Sequence, residues 1–161
     1  MTNLVTGMLL LLGLVALQAG LRYWTALRTR AAWEGAQADI ARGDFASAEA
    51  GIARCVKLMP LWLQPRFLLG AVLAKQGKLE AAEEQFKMAC ALQPRDPKGH
   101  LELGVFYLTA ARREDEGLAA LNEALRHDPG VYQAIAADPR LHDFQRSDAF
   151  ERLVVPGVSE T

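Results

Sequence analysis

Hydrophobic and polar positions divide the chain into two regimes. From Leu4 to Leu21 the sequence runs eighteen residues with Thr6 and Gln18 as its only polar members, and no charged side chain precedes Arg22. At about 1.5 Å per residue this stretch makes roughly 27 Å of helix, close to the hydrocarbon thickness of a bilayer. It lacks the polar stripe of a helix that buries only one face, so the pattern predicts a membrane-spanning helix. Beyond it the pattern turns amphipathic, and hydrophobic positions recur in blocks of helical length separated by Gly- and Pro-containing turns.

Those blocks repeat. Gly43 and Gly77 stand 34 residues apart, and Ala48/Ala82, Ile52/Phe86 and Pro60/Pro94 keep the same step. Leu69-Gly70 recurs as Leu103-Gly104, again after 34 residues, whereas Pro94 recurs as Pro129 after 35. The third copy thus holds one surplus residue between Gly104 and Gly117, expected in the turn around Ala111–Arg113. Each copy reads as two helices. Arg42-Gly43-Asp44 and Gln76-Gly77-Lys78 form the turns, since Gly supplies the positive φ that ends a helix. Pro60, Pro94 and Pro129 close the second helices, because Pro cannot extend one. A hairpin of this kind cannot bury its apolar face alone, so about three must stack.

In these landmarks the chain resembles the tetratricopeptide repeat (TPR) family. Leu69, Gly70, Leu73, Ala82, Phe86, Ala89 and Pro94 fall on its signature in the second copy, with Arg66 where the initial Trp would stand. His100, Leu103, Gly104, Tyr107, Gly117, Leu121, Ala124 and Pro129 do so in the third, and Gly35-Ala36 replaces Leu-Gly in the first. The resemblance implies an all-α fold: an N-terminal transmembrane helix, a three-repeat helical solenoid and a short C-terminal helical cap. The expected divisions are 1–28 for the anchor and its juxtamembrane segment, 29–130 for the repeats (29–62, 63–96, 97–130), 131–155 for the cap and 156–161 for a tail.

Carried over position by position, the family geometry places Arg30, Trp33, Gln37, Phe67, Ala71, Ala74, Lys75, Lys98, Leu101, Val105 and Leu108 on the inner wall of the solenoid. Most are apolar, which suits a groove for an apolar or amphipathic helix. Two other readings stay open: that several of them are inter-repeat core, and that the tail around Phe144 or Phe150 fills the groove. Where one subfamily carries the Lys and Asn that grip a chaperone's carboxylate terminus, the matching positions here hold Trp33 and Gln37, Phe67 and Ala71, Leu101 and Val105, so that ligand is not expected.

Charge and composition narrow the rest. The 161 residues carry 18 Lys+Arg against 19 Asp+Glu, a net −1 with a pI near 6.3, which counts against a nucleic-acid binder. Hydrophobic residues at 51% and charged residues at 23% exclude disorder for most of the chain. Arg22, Arg28 and Arg30 follow the apolar stretch before the first acid, with Tyr23 and Trp24 as interfacial rings. The positive-inside rule then puts residues 22–161 in the cytoplasm. The start Met1-Thr2-Asn3 has no basic residue, and no Ala-x-Ala follows the apolar stretch, so a cleaved signal peptide is not expected.

Cys55 and Cys90 read as buried reduced thiols, and His100, His127 and His142 as scattered. No phosphate loop, zinc spacing or nucleophile elbow occurs. The expectation is a non-enzyme without cofactor, metal or small-molecule substrate: a scaffold holding a protein partner at the cytoplasmic face of a bacterial inner membrane. The alternative is a structural accessory subunit of a larger membrane complex. The outline resembles anchored bacterial envelope-assembly TPR proteins, without the paired-Cys metal module some of them carry.

Overall fold

The computed structural model of the protein describes residues 2–153, of which all regular structure is helical. The chain divides into two compact units, Met1–Pro60 and Leu61–Thr161. Residues 154–161, which include the expected tail, lie outside the described part.

The first unit is one long helix and one short one. α1 spans Thr2–Ala41 without a break, so the apolar stretch and the first helix of the first hairpin are a single rod. Gly43, at φ 77°, turns the chain, and α2 (Phe45–Leu58) packs back along the end of α1. Asp44 caps α2 by accepting from the Ser47 amide at 3.0 Å. Ala36, Ala48, Ile52 and Cys55 are each at most 1% exposed. The Cys55 thiol faces the Thr29 carbonyl at 3.6 Å, and burial raises its pKa above the ordinary thiol value.

The second unit stacks four helices and then a series of short ones. α3 (Leu63–Lys75) pairs with α4 (Leu79–Leu92). α5 (Pro97–Phe106), extended by a π-helical turn at Tyr107–Ala111, pairs with α6 (Glu114–His127). The 34-residue step is visible as equivalent buried positions: Ala36, Gly70 and Gly104 on the first helices, then Ala48, Ala82 and Gly117, then Ile52, Phe86 and Leu121 on the second. Small residues are required here by distance. A Cβ on Gly70 would lie 2.7 Å from Phe86 Cζ, and one on Gly104 would lie 2.7 Å from Leu121 Cδ2. Each second helix ends two residues before its Pro, and the residue preceding that Pro (Met59, Gln93 or Asp128) has an extended φ of −134° to −150°, as the proline ring demands.

The surplus residue of the third copy is absorbed within the helix and does not lengthen the turn. The first two hairpins close with a five-residue-span hydrogen bond, Asp44 N to Asp39 O and Lys78 N to Leu73 O, both 2.9 Å. In the third the equivalent bond, Arg113 N to Tyr107 O at 2.9 Å, spans six. A π turn is how a helix accommodates one inserted residue without losing its register on either side. The left-handed position that Gly43 and Gly77 occupy falls to Arg112, at φ 56°. An L side chain there costs about 1–2 kcal/mol, part of which glycine's extra chain entropy would offset. Arg112→Gly is therefore expected to stabilise the protein by about 1 kcal/mol, read as a shift in urea midpoint at unchanged slope.

The π turn also assembles an ion cluster. Glu83 on α4 accepts from Lys87 Nζ at 2.6 Å, from the Tyr107 hydroxyl at 2.9 Å and from the Arg113 guanidinium, which stacks 4.4 Å from the Tyr107 ring. The Lys87 hydrogen bond first, then those of Tyr107 and Arg113, hold the Glu83 carboxyl down at about 2 against the opposing effect of burial. A depressed carboxylate pKa contributes stability that is complete above the unfolded value near 4.3 and is lost as pH falls through about 2. Because Lys87 is largely exposed and solvent screens the pair, the contribution is on the order of 1 kcal/mol. Glu83→Gln is expected to remove it at neutral pH and to flatten the acid limb of stability between about pH 5 and 2, measured by urea melts across that range.

Beyond α6, α7 (Val131–Ala137), a 3-10 turn (Pro139–Leu141), α8 (His142–Gln145) and α9 (Asp148–Glu151) fold onto α5 and α6. Val131, Ile135, Leu141, Phe144, Ala149 and Leu153 form one core with Val105, Leu121, Ala124 and Leu125. Gln145 fastens the segment by donating to the Ile135 and Asp138 carbonyls at 2.8 and 2.9 Å.

Candidate functional site

In the second unit, α3 and α5 line one open space. α3 offers Ala71, Ala74 and Lys75 at spacings that keep them on one face. α5 and its π turn contribute Glu102, Val105, Thr109 and Ala110, and Arg140 closes the far side from the 3-10 turn. Together with Phe86 and Phe106 at its floor these residues enclose about 430 Å³ of open, mainly apolar space. The edge formed by Arg140 is fixed. Arg140 donates to both Glu102 oxygens, at 2.9 and 3.4 Å, and to Asp138 at 2.6 Å. The Asp138 and Glu102 hydrogen bonds raise the guanidinium pKa, and Arg140 lowers that of Asp138.

The wall residues expected from the sequence do not share one environment. Ala71 and Lys75 are exposed and Ala74 half-buried, and all three line the space just described. Phe67, 7% exposed, and Val105, 4% exposed, belong to the core. Leu101 and Leu108 are half-buried against the C-terminal core, so the tail takes up the third copy's share of the wall. Its hydrophobic side chains reach α5 because α7 turns back at once after Pro129. Lys98 lies over the Phe67 ring at 5.6 Å and donates to Gln64 at 3.2 Å, at the lip of α5. Trp33 and Gln37 stand on α1 in the first unit, half-buried and exposed respectively.

On the same helix Arg22, Tyr23, Trp24 and Arg28 are exposed, and Arg30 pairs with Glu34 at 2.7 Å. An 18-residue apolar window within Leu10–Ala41 has mean hydropathy 1.4, none of it buried.

Three groups that sequence reasoning passed over come together elsewhere: His100, Glu123 and His127 each place a ligand atom within 4.8 Å of the others. Arg66, which replaces the signature Trp, is 9% exposed and directs Nη1 at Gln85 Oε1 and Met88 Sδ, each 3.4 Å away. Cys90 is half-buried, and burial pushes its thiol up to about 11, which leaves it a poor nucleophile at neutral pH.

The fold is similar to that of solved structures. The crystal structure of MamA aligns at a TM-score of 0.55 and 18% identity over 65% of this chain. A mutant O-GlcNAc transferase from Thermobaculum terrenum aligns at 0.54 and 24% over 71%. The fold is a TPR-like helical repeat. The chain spans 61% of the MamA chain and 23% of the transferase chain. No protein-family model matches the sequence, and no curated protein matches it.

Proposed function

We propose that this protein is a membrane-anchored scaffold, non-catalytic, which holds a protein partner at the cytoplasmic face of a bacterial inner membrane. The observation that carries the reading is α1: an apolar span with none of its window buried runs unbroken into the first repeat hairpin. A helix that apolar has no partner within its own unit over the window, and a bilayer supplies one. Exposed Tyr23 and Trp24, at 65% and 66%, and the cations Arg22 and Arg28 stand at the end of the span where interfacial rings and cytoplasmic charge belong. Tethering also raises the effective concentration of a weak binding wall near other membrane proteins. The wall on which the partner would bind is the Ala71–Ala74–Lys75 face, which the tail leaves open.

A structural accessory subunit of a larger membrane complex is the second reading. It draws on Leu61, Met88 and Leu92, exposed at 75%, 43% and 39% in the second unit.

A cytoplasm-dependent reporter fused after Thr161 is expected to be active, and deletion of residues 2–21 to release the chain into the soluble fraction. Release of the intact chain by alkaline carbonate would overturn the anchor. A photo-crosslinking side chain at Ala71 should capture one discrete protein that the same group at Met88 on α4 does not. Capture from both at fixed stoichiometry, with a large particle on sizing in mild detergent, favours the subunit.

A further inference from the structure

We propose that His100, Glu123 and His127 form a binding site for a divalent transition metal of the zinc class, joining α5 to α6. Glu123 and His127 stand four residues apart on α6, so they share one face of that helix. α5 runs against α6, and His100, in the first turn of α5, meets the last turn of α6. One ligand atom from each of the three lies within 4.8 Å of the others. The two imidazoles stack with centroids 5.4 Å apart, and His127 Nε2 stands 3.2 Å from Glu123 Oε1.

Two imidazoles and a carboxylate are a ligand set that zinc accepts, with a fourth position left for water or an outside ligand. Nitrogen and oxygen donors of this kind do not favour calcium or magnesium, which take oxygen ligands almost alone. One nitrogen of His100 is already engaged by the backbone. Its Nε2 lies 3.0 Å from the Pro94 carbonyl oxygen, which can only accept, so Nε2 carries the proton and Nδ1 keeps its lone pair. A backbone carbonyl on the second ring nitrogen is the common way in which a metal-bound histidine is held.

Glu123 has one competing partner, Arg126, on its other oxygen. Arg126 is exposed and lies in the last turn of α6, so it can yield to an ion. The His127 side chain is partly exposed and can rotate toward the other two ligands. Because the site ties the first turn of α5 to the last of α6, metal binding would brace the hairpin carrying the third part of the wall.

The test uses the full chain in detergent micelles, without a polyhistidine tag, after removal of metal by chelation and dialysis. Zinc is expected to bind at one equivalent by calorimetry, and cobalt(II) to give the visible d–d absorption of a four-coordinate complex. Loss of an orienting partner alone typically weakens a site ten- to a hundredfold, so His100→Ala, Glu123→Gln and His127→Ala should each weaken zinc by at least about tenfold. His142→Ala, at the third histidine, should leave affinity unchanged. Zinc should raise the thermal midpoint of the parent chain and not that of His127→Ala, with circular dichroism checking that the variant keeps its helicity. Absence of stoichiometric zinc uptake by the parent, or uptake equally tight in His100→Ala and His127→Ala, overturns the site.

Discussion

Removing residues 131–161 is expected to unfold the third hairpin, although every residue of α5 and α6 remains. The deletion takes away Val131, Ile135, Leu141, Phe144 and Leu153, which close one core with Val105, Leu121, Ala124 and Leu125. Much of the lost burial is offset, since the removed segment no longer has to be ordered. What is left behind has no such offset. Val105 and Leu125, at 4% and 0% exposed, would face water on helices that still bear their full ordering cost, and Leu101 and Leu108 lose the surface they lean on. At about 1.5–3 kcal/mol for each large side chain, the newly bared face loses roughly 5 kcal/mol or more, as much as the whole stability of many small domains. Hydrogen exchange in the truncated chain should show α5 and α6 amides unprotected while α4 amides keep partial protection. Protection of α5 and α6 equal to that of the full chain would mean that the cap is dispensable. By the same reasoning, Leu101→Glu should cost fold stability in the third hairpin before it costs any binding.

Much of the fold could be read from the sequence because the features that set it are local or periodic. Gly43 and Gly77 take the positive φ that their positions in the 34-residue step require. Small residues at Gly70, Gly104 and Gly117 announce close helix contacts, since nothing larger fits against Phe86, Leu121 and Leu108. The surplus residue was countable from the Pro94–Pro129 interval, but counting does not say how it is absorbed. A turn can lengthen or a helix can take a π turn, and the second was hidden because Arg112, not Gly, occupies the left-handed position.

The candidate site was less legible, for a different reason. Inner-wall positions follow from repeat geometry only where nothing else packs there. Residues 131–153 carry no repeat period, so the sequence shows that they are apolar without showing what they cover. Val105 accordingly lies in a core shared with that segment, and Glu102 is joined by Arg140 from 38 residues further on. His100 and His127 looked scattered because their closeness depends on two antiparallel helices, while the signal available in sequence was only the four-residue step from Glu123 to His127.

Gly104 and Leu121 should be strongly coupled, and the coupling has a definite sign. Leu121 is wholly buried, and its Cδ2 and Cγ lie 2.7 and 2.8 Å from where a Cβ on Gly104 would stand; the Gly117 carbonyl oxygen lies at 3.2 Å. Gly104→Ala gains up to about 1 kcal/mol of helix propensity. It must also push α5 from α6 or drive Leu121 off its rotamer, at about 1–3 kcal/mol, and the backbone oxygen behind it limits the retreat. A net destabilisation of about 1–2 kcal/mol is expected. Leu121→Ala should cost about 2–5 kcal/mol, since the space it vacates faces a residue with no side chain to fill it. In the double variant the new methyl enters that space, so the clash disappears, the cavity shrinks and the helix-propensity gain is kept. The double variant should therefore be more stable than Leu121→Ala alone, with a coupling of at least about 1 kcal/mol. Chemical denaturation of the four proteins at one temperature measures it. Simple additivity would show that α5 and α6 meet less closely at this crossing than the distances state, and the equivalence of Gly104 with Gly70 and Ala36 as points of closest helix approach would fall with it.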